Sequence, residues 1–371
     1  GWLPGEVDAC TNDPSTTPFP ERRWSLDRKV FVFTYPNIES AKSASFRSTK
    51  LPVLRHTERH FCPVLFYMKS TPPLHGLVAA THTPFHPDGS LNLAAVEGQA
   101  TFLMKNGVRT VFINGSTAES SSLTLEERLA LAQRWTEVAR GSDLRVVVHV
   151  GANALADSRV LAAQAQQLGA PAIAALSPSY YKPRSLSVLI DCCADIAAAA
   201  PETPFYFYDI PALTNVTFPM ADFLEKAPER IPTLAGIKFT NPDLMAYQVC
   251  LRADGGKWDV PFGVDEHMLG ALAMGAKGAV GSGFNFAAPI YSRMIAAFER
   301  GDMTAAREEQ FRGVRLIRLF AGLGYMAAAK AAMGFLGVAV GPARLPNANL
   351  TQEQVGQLRS ELETMGFFDW V

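Results

Sequence analysis

Pro204-Phe-Tyr-Phe-Tyr-Asp-Ile-Pro211 and Leu234-Ala-Gly-Ile-Lys-Phe-Thr240 are short apolar runs rich in β-forming residues and bounded by turn residues. Each is too short for a helix and too continuously apolar for a half-exposed strand. That is the pattern of a strand covered on both faces. Six further runs of this kind lie at 76–85, 108–117, 145–151, 172–178, 258–265 and 278–283. They recur about every 29 residues, the length of one strand–helix unit.

The segments between them carry helical patterns. At 123–140, Thr124 is followed three residues later by Glu127, a capping box, and then by Leu129, Leu131, Ala132 and Trp135 on one face. Segments 185–200 and 219–227 behave alike. No Gly-x-Gly-x-x-Gly follows the first run, which weakens an open dinucleotide-binding sheet. Eight such units predict an α/β fold, a (β/α)8 TIM barrel over 68–300. Residues 301–371 predict additional C-terminal helices, at 304–320, 325–336 and 351–365.

Residues 1–67 read differently. They hold seven prolines, seven acidic and nine basic residues, and no helical or strand period. A transit peptide would be poor in acids, so the expectation is a disordered or artefactual extension.

Composition narrows the function classes. Apolar residues make up 48% and charged residues 19%, with a formal net charge of −1. No global field favours nucleic acid or an anionic membrane, and no apolar run reaches membrane-spanning length. Cys10, Cys62, Cys192, Cys193 and Cys250 are odd in number and form no Cys-x-x-Cys pair. A reduced, cytoplasmic chain is the expectation.

In a barrel, polar groups at strand C-termini face the active-site mouth. Lys238 ends the sixth run among apolar neighbours. Burial there lowers a lysine pKa and frees a neutral amine to attack a ketone, unless a carboxylate simply pairs with it. Tyr208, on the adjacent fifth run, is placed to relay protons or merely to line the barrel. Gly115-Ser-Thr-Ala-Glu119 follows the second run, and its hydroxyls and backbone amides suit an anion. In Gly263-Val-Asp265-Glu266 the carboxylates suit a metal, acid–base work or the hydroxyls of a polyol. Metal is the weakest option, because only His267 accompanies them. Ser282, in Gly281-Ser-Gly283, ends the eighth run.

These motifs in this order resemble the N-acetylneuraminate lyase and dihydrodipicolinate synthase superfamily, over 74–366. The resemblance implies a homotetrameric class I aldolase that handles pyruvate through a lysine imine and needs no metal, flavin or nicotinamide. It implies that Lys238 is the Schiff-base lysine and Tyr208 the proton-shuttling tyrosine. Ser116 and Thr117 would hold the pyruvate carboxylate, and Tyr180 would complete a hydroxyl relay with Tyr208. Thr240, Gly263, Asp265, Glu266 and Ser282 would bind the sugar chain.

Ala118 departs from the family's Gly-Ser/Thr-Thr-Gly-Glu motif, and strains the loop if that position needs positive φ. Asp209 is a position at which members differ. Synthases of the family carry an arginine five residues after the tyrosine, to receive a second substrate carboxylate; here it is Leu213. Together with Asp265-Glu266 this favours the lyase branch, with N-acetylneuraminate as substrate and N-acetylmannosamine and pyruvate as products. The alternatives are a 4-hydroxy-2-oxoglutarate aldolase, a dihydrodipicolinate synthase-like pyruvate aldolase, and a silent barrel that only binds sialic acid or a keto acid.

Overall fold

The structure is a computed structural model, and it describes residues 73–371. The extension read at 1–67 lies outside the described residues. Strands and helices alternate as the sequence spacing predicts: β1 (Gly76–Ala80), α1 (Ala95–Lys105), β2 (Thr110–Ile113), α2 (Leu125–Ala139), β3 (Arg145–His149), α3 (Leu155–Gln167), β4 (Ile173–Leu176) and α4 (Leu186–Ala197). There follow β5 (Phe205–Asp209), α5 (Pro211–Thr214), α6 (Met220–Lys226), β6 (Leu234–Phe239), α7 (Leu244–Arg252), α8 (Met268–Met274), β7 (Gly278–Gly281) and α9 (Phe284–Glu299). The C-terminal helices are α10 (Met303–Leu323), α11 (Tyr325–Phe335) and α12 (Gln352–Met365). Thr124 and Glu127 form the expected capping box on α2.

All sheet pairings are parallel, in the order β6-β5-β4-β3-β2-β1-β7. Seven strands stand where the sequence predicts eight. The run at 258–265 makes only isolated parallel bridges, to Gly236, Phe239 and Ala279. The cause is local. Amide–carbonyl bonds join Asp259 to Ala235 and Ile237, and Pro261 and Gly263 to Phe239. Pro261 has no N–H to give the carbonyl of Ile237, so the ladder is interrupted at its centre. Gly236 admits the close approach, since a Cβ there would lie 1.7 Å from the Asp259 carbonyl oxygen. Segment 259–263 thus bridges β6 and β7, and the barrel is nearly closed.

Alternation along each strand sorts the side chains into two layers. Val78, Ala80, Phe112, Val147, Ala174, Tyr206, Tyr208 and Val280 form one cluster inside the barrel. Their neighbours, among them Val111, Val148, Ile173, Phe205, Phe207, Ile237 and Phe239, pack outward against the helices. Each fully buried phenylalanine of that outer layer stabilises the fold by roughly 1.5–3 kcal/mol relative to an exposed one. Lys238 pairs in register with Tyr208. It therefore shares the inward parity and is carried into the barrel by the same alternation that buries Ile237 and Phe239 outside it.

Among the described residues no single helix is long and apolar enough to cross a membrane. Cys192, Cys193 and Cys250 are free thiols.

Candidate active site

Lys238, on β6, is 3% exposed. Its Nζ lies 3.8 Å from the Tyr208 ring centre and 4.2 Å from that of Phe112. Burial lowers its pKa below the ordinary lysine value, and attraction to Tyr208 and Asp265 offsets part of that shift. No carboxylate among the described residues comes within ion-pair distance of it. The amine sits against aromatic faces and makes no ion-pair contact.

Tyr208 is held edge-on by Phe112 and His149, each with ring centres 5.7 Å away. Its hydroxyl donates to Ser116 Oγ over a long 3.4 Å contact. The carboxylate-loop candidate and the lysine–tyrosine pair thus meet at one place. His149 was not singled out by the sequence reading. Its Nδ1 lies 2.8 Å from the Asn114 carbonyl, and its Nε2 accepts the Leu176 amide at 3.3 Å. Full burial holds its pKa well below the usual histidine range. The signal was present: Val147 and His149 share the inward parity at the end of the third strand.

The loop after β2 turns twice through left-handed backbone, at Asn114 (φ 59°) and Glu119 (φ 57°). Ala118 is not one of these positions, so the strain considered for alanine there does not arise. Its carbonyl accepts a 2.6 Å bond from Thr83 Oγ1. Thr117 is half-buried beside Ser116.

The sugar-chain candidates gather around a cavity of about 480 Å³ lined by Thr240, Gly263, Asp265, Glu266, Ser282 and Tyr325, among others. Asp265 is 6% exposed, and its Oδ2 accepts the Gly283 amide at 2.7 Å. Burial pushes its pKa up to about 7. Glycine makes the nest possible, because a Cβ at residue 281 would fall 1.9 Å from Asp265 Oδ1. Ser282 Oγ and the Tyr325 hydroxyl lie 2.6 Å apart, and Gln310 Nε2 donates to the Asp265 carbonyl at 3.1 Å. Helices α10 and α11 therefore furnish part of the wall, which the strand-end rule did not reveal.

Two expected groups lie elsewhere. Tyr180 is 77% exposed and stacks edge-on against the equally exposed Tyr181 at 5.0 Å, so the relay with Tyr208 is not formed within one chain. Its loop follows β4 and leaves the barrel before the tyrosine can turn inward. Leu213 is 62% exposed on the short α5, whereas its neighbours Ile210 and Ala212 line the cavity. Asp209 follows Tyr208 with the opposite parity. It is 4% exposed, its Oδ2 has no partner, and burial pushes its pKa up to about 7. Among the described residues no cluster of His, Cys, Asp and Glu could hold a metal ion.

Comparison with known proteins places this geometry in a family. The profile of the dihydrodipicolinate synthetase family matches residues 73–365. N-acetylneuraminate lyase A of Xenopus laevis is 41% identical over 276 residues, 74% of this chain and 90% of that one. N-acetylneuraminate lyase of Homo sapiens is 38% identical over 303 residues, 80% of this chain and 94% of that one. The structure of Proteus mirabilis N-acetylneuraminate lyase superposes with a TM-score of 0.78 at 38% identity, covering 80% of this chain and all of that chain.

Proposed function

The chain belongs to the dihydrodipicolinate synthetase family, and from that premise we propose that it is a class I aldolase cleaving N-acetylneuraminate to N-acetylmannosamine and pyruvate. The observation that carries this reading is the buried, carboxylate-free Lys238 amine packed on Tyr208.

The lowered lysine pKa raises the neutral fraction near pH 7, and the neutral amine attacks the C2 ketone of the open-chain sugar acid. Loss of water gives an iminium. Ser116 and Thr117, with the backbone amides of their loop, hold the C1 carboxylate. Tyr208, bonded to Ser116, gives its proton to the hydroxide that departs as water when the iminium forms, and the resulting phenolate takes the C4 hydroxyl proton. The C3–C4 bond then breaks and its electron pair flows into the iminium. N-acetylmannosamine leaves, the enamine is protonated at C3, and hydrolysis returns pyruvate and the free amine.

Asp265, Glu266, Ser282, Thr240 and the Gly263 backbone receive the polyol chain, whose hydroxyls donate to the carboxylates. A relay through Tyr180 then requires a second protomer to bring that residue to the barrel mouth, which the homotetramer of this reading provides. The exposed Tyr180–Tyr181 pair supports such a contact. Free thiols at Cys192, Cys193 and Cys250 support a cytoplasmic setting. In this reading the catalytic barrel lies within 68–300 with 301–371 as its helical complement, and 1–67 are dispensable for catalysis.

The test is borohydride trapping with pyruvate, the labelled peptide located by mass spectrometry, beside turnover of N-acetylneuraminate and 4-hydroxy-2-oxoglutarate. Label on Lys238 and preference for the sialic acid are expected. Label on another lysine, with Lys238 unmodified, sinks the mechanism.

A further inference from the structure

Lys330, on α11, is a second fully enclosed lysine, 3% exposed and remote in sequence from every strand end. Its Nζ donates to Glu119 Oε1 at 2.8 Å and to the Pro342 carbonyl at 2.7 Å, and lies 4.3 Å from the Phe85 ring centre. Both charged side chains are shielded from water, at 1% and 0% exposure.

The other Glu119 oxygen accepts the Arg344 amide at 2.8 Å and Asn347 Nδ2 at 3.2 Å. The Arg344 guanidinium in turn grips Glu127, the capping residue of α2, at 2.7 Å, and the Ser122 carbonyl at 3.0 Å. Four groups of the C-terminal region therefore converge on one turn after β2.

That turn is the carboxylate loop. Glu119 occupies left-handed backbone, a conformation disfavoured for a side chain with a Cβ. Its own amide closes the turn on the Ser116 carbonyl at 3.0 Å. Ser116 Oγ is the atom to which Tyr208 donates. A continuous path thus runs from Lys330 through Glu119 to Ser116 and Tyr208. A surface glutamate would not need a lysine, a backbone amide and an asparagine to satisfy it. Here the buried carboxylate is fully engaged, as a charge out of water must be.

We infer that Lys330 and Glu119 are positioning residues, which hold Ser116 and Thr117 in the geometry that captures the carboxylate of the keto acid. The inference rests on the aldolase reading. Neither side chain touches substrate, and Lys330 forms no imine because its amine is held by Glu119 and Pro342. The pair does for the carboxylate loop what barrel alternation does for Lys238.

The experiment uses the full chain and two ketones: pyruvate, which has the carboxylate, and acetone, which lacks it. Each is trapped on Lys238 with borohydride over a range of concentrations, in the unaltered protein, in Lys330→Met and in Glu119→Gln/Lys330→Met. Displacement of the loop by about 1 Å is expected to raise the pyruvate concentration for half-maximal trapping by about 10–100-fold in Lys330→Met. Acetone trapping is expected to stay as it was. The double variant leaves no unpaired buried charge and keeps a hydrogen-bonding amide at 119, so it is expected to recover part of the loss. It also carries the test if Lys330→Met does not fold. An equal loss for both ketones, or no loss for pyruvate, overturns the inference. Failure of the unaltered protein to trap pyruvate on Lys238 overturns the aldolase reading beneath it as well.

Discussion

Replacing Tyr208 by phenylalanine removes one oxygen atom from the barrel interior and leaves the ring. The ring does the packing: it lies 3.8 Å from Lys238 Nζ and meets Phe112 and His149 edge-on. The hydroxyl makes a long bond, 3.4 Å to Ser116 Oγ, and meets the Lys238 amine. Loss of so stretched a bond should cost at most about 1 kcal/mol of stability. The chemical cost is larger, because the proton transfer at C4 is assigned to this hydroxyl and the other one on β5, that of Tyr206, is bound to Asp259. General base catalysis of this kind contributes about 10²–10⁴-fold, or roughly 3–5.5 kcal/mol of the barrel's activation free energy. The phenylalanine variant should therefore keep its melting temperature nearly unchanged and still be labelled on Lys238 by pyruvate and borohydride. Its kcat for N-acetylneuraminate should fall by that factor, with a smaller change in KM. Coupled assay of pyruvate release, run beside trapping on one preparation, reads both quantities. A fall in kcat below about tenfold would refute the assignment of the proton transfer to Tyr208.

Gly281→Ala should evict the Asp265 carboxylate, since the new Cβ would fall 1.9 Å from its Oδ1; sialic acid cleavage should drop while pyruvate trapping persists, measured on the same preparation. Asp209 binds its proton more tightly folded than unfolded, at a pKa of about 7 against an ordinary 3.8. Folding therefore takes up a proton in that window, and stability falls as pH rises through it and levels off above about 7; Asp209→Asn should raise the melting temperature more at pH 8 than at pH 5. Leu213→Arg should lower cleavage by about tenfold, the small end of such specificity effects, because an exposed leucine gives up little contact and only the added cation near the cavity opposes the sugar. A chain lacking residues 1–67 should turn over N-acetylneuraminate at the rate of the full chain in the same assay.

What could be read from the sequence is what depends on periodicity. The spacing of the runs 204–211 and 234–240 makes Tyr208 and Lys238 neighbours on adjacent strands, and the register pairs them side by side; runs so continuously apolar do not say which side chains turn inward. The seventh run was apolar enough to read as a strand, but a single residue, Pro261, withholds the amide that would have completed its ladder. The long-range pairings were illegible. Lys330 lies 211 residues from Glu119, and Tyr325 lies 43 from Ser282. No local pattern marks either pair, since helical lysines and tyrosines are common on solvated faces. Tyr180 is a different case: its motif gives a role, but an exposed loop has no alternation to say which way the ring points.

The two buried lysines show how burial alone misleads. Both are 3% exposed, and desolvation pushes both amines down from the ordinary lysine value. Lys330 has a carboxylate at 2.8 Å, and that ion pair binds its proton and fixes its position. Lys238 has two aromatic faces and the Tyr208 hydroxyl, and no carboxylate in ion-pair contact. Desolvation without an ion-pair partner makes a nucleophile, and desolvation with one makes a brace. The distinction lies in what occupies the few ångströms beyond Nζ, and the chain settles that by strand parity for Lys238 and by a helix packed against the β2 turn for Lys330.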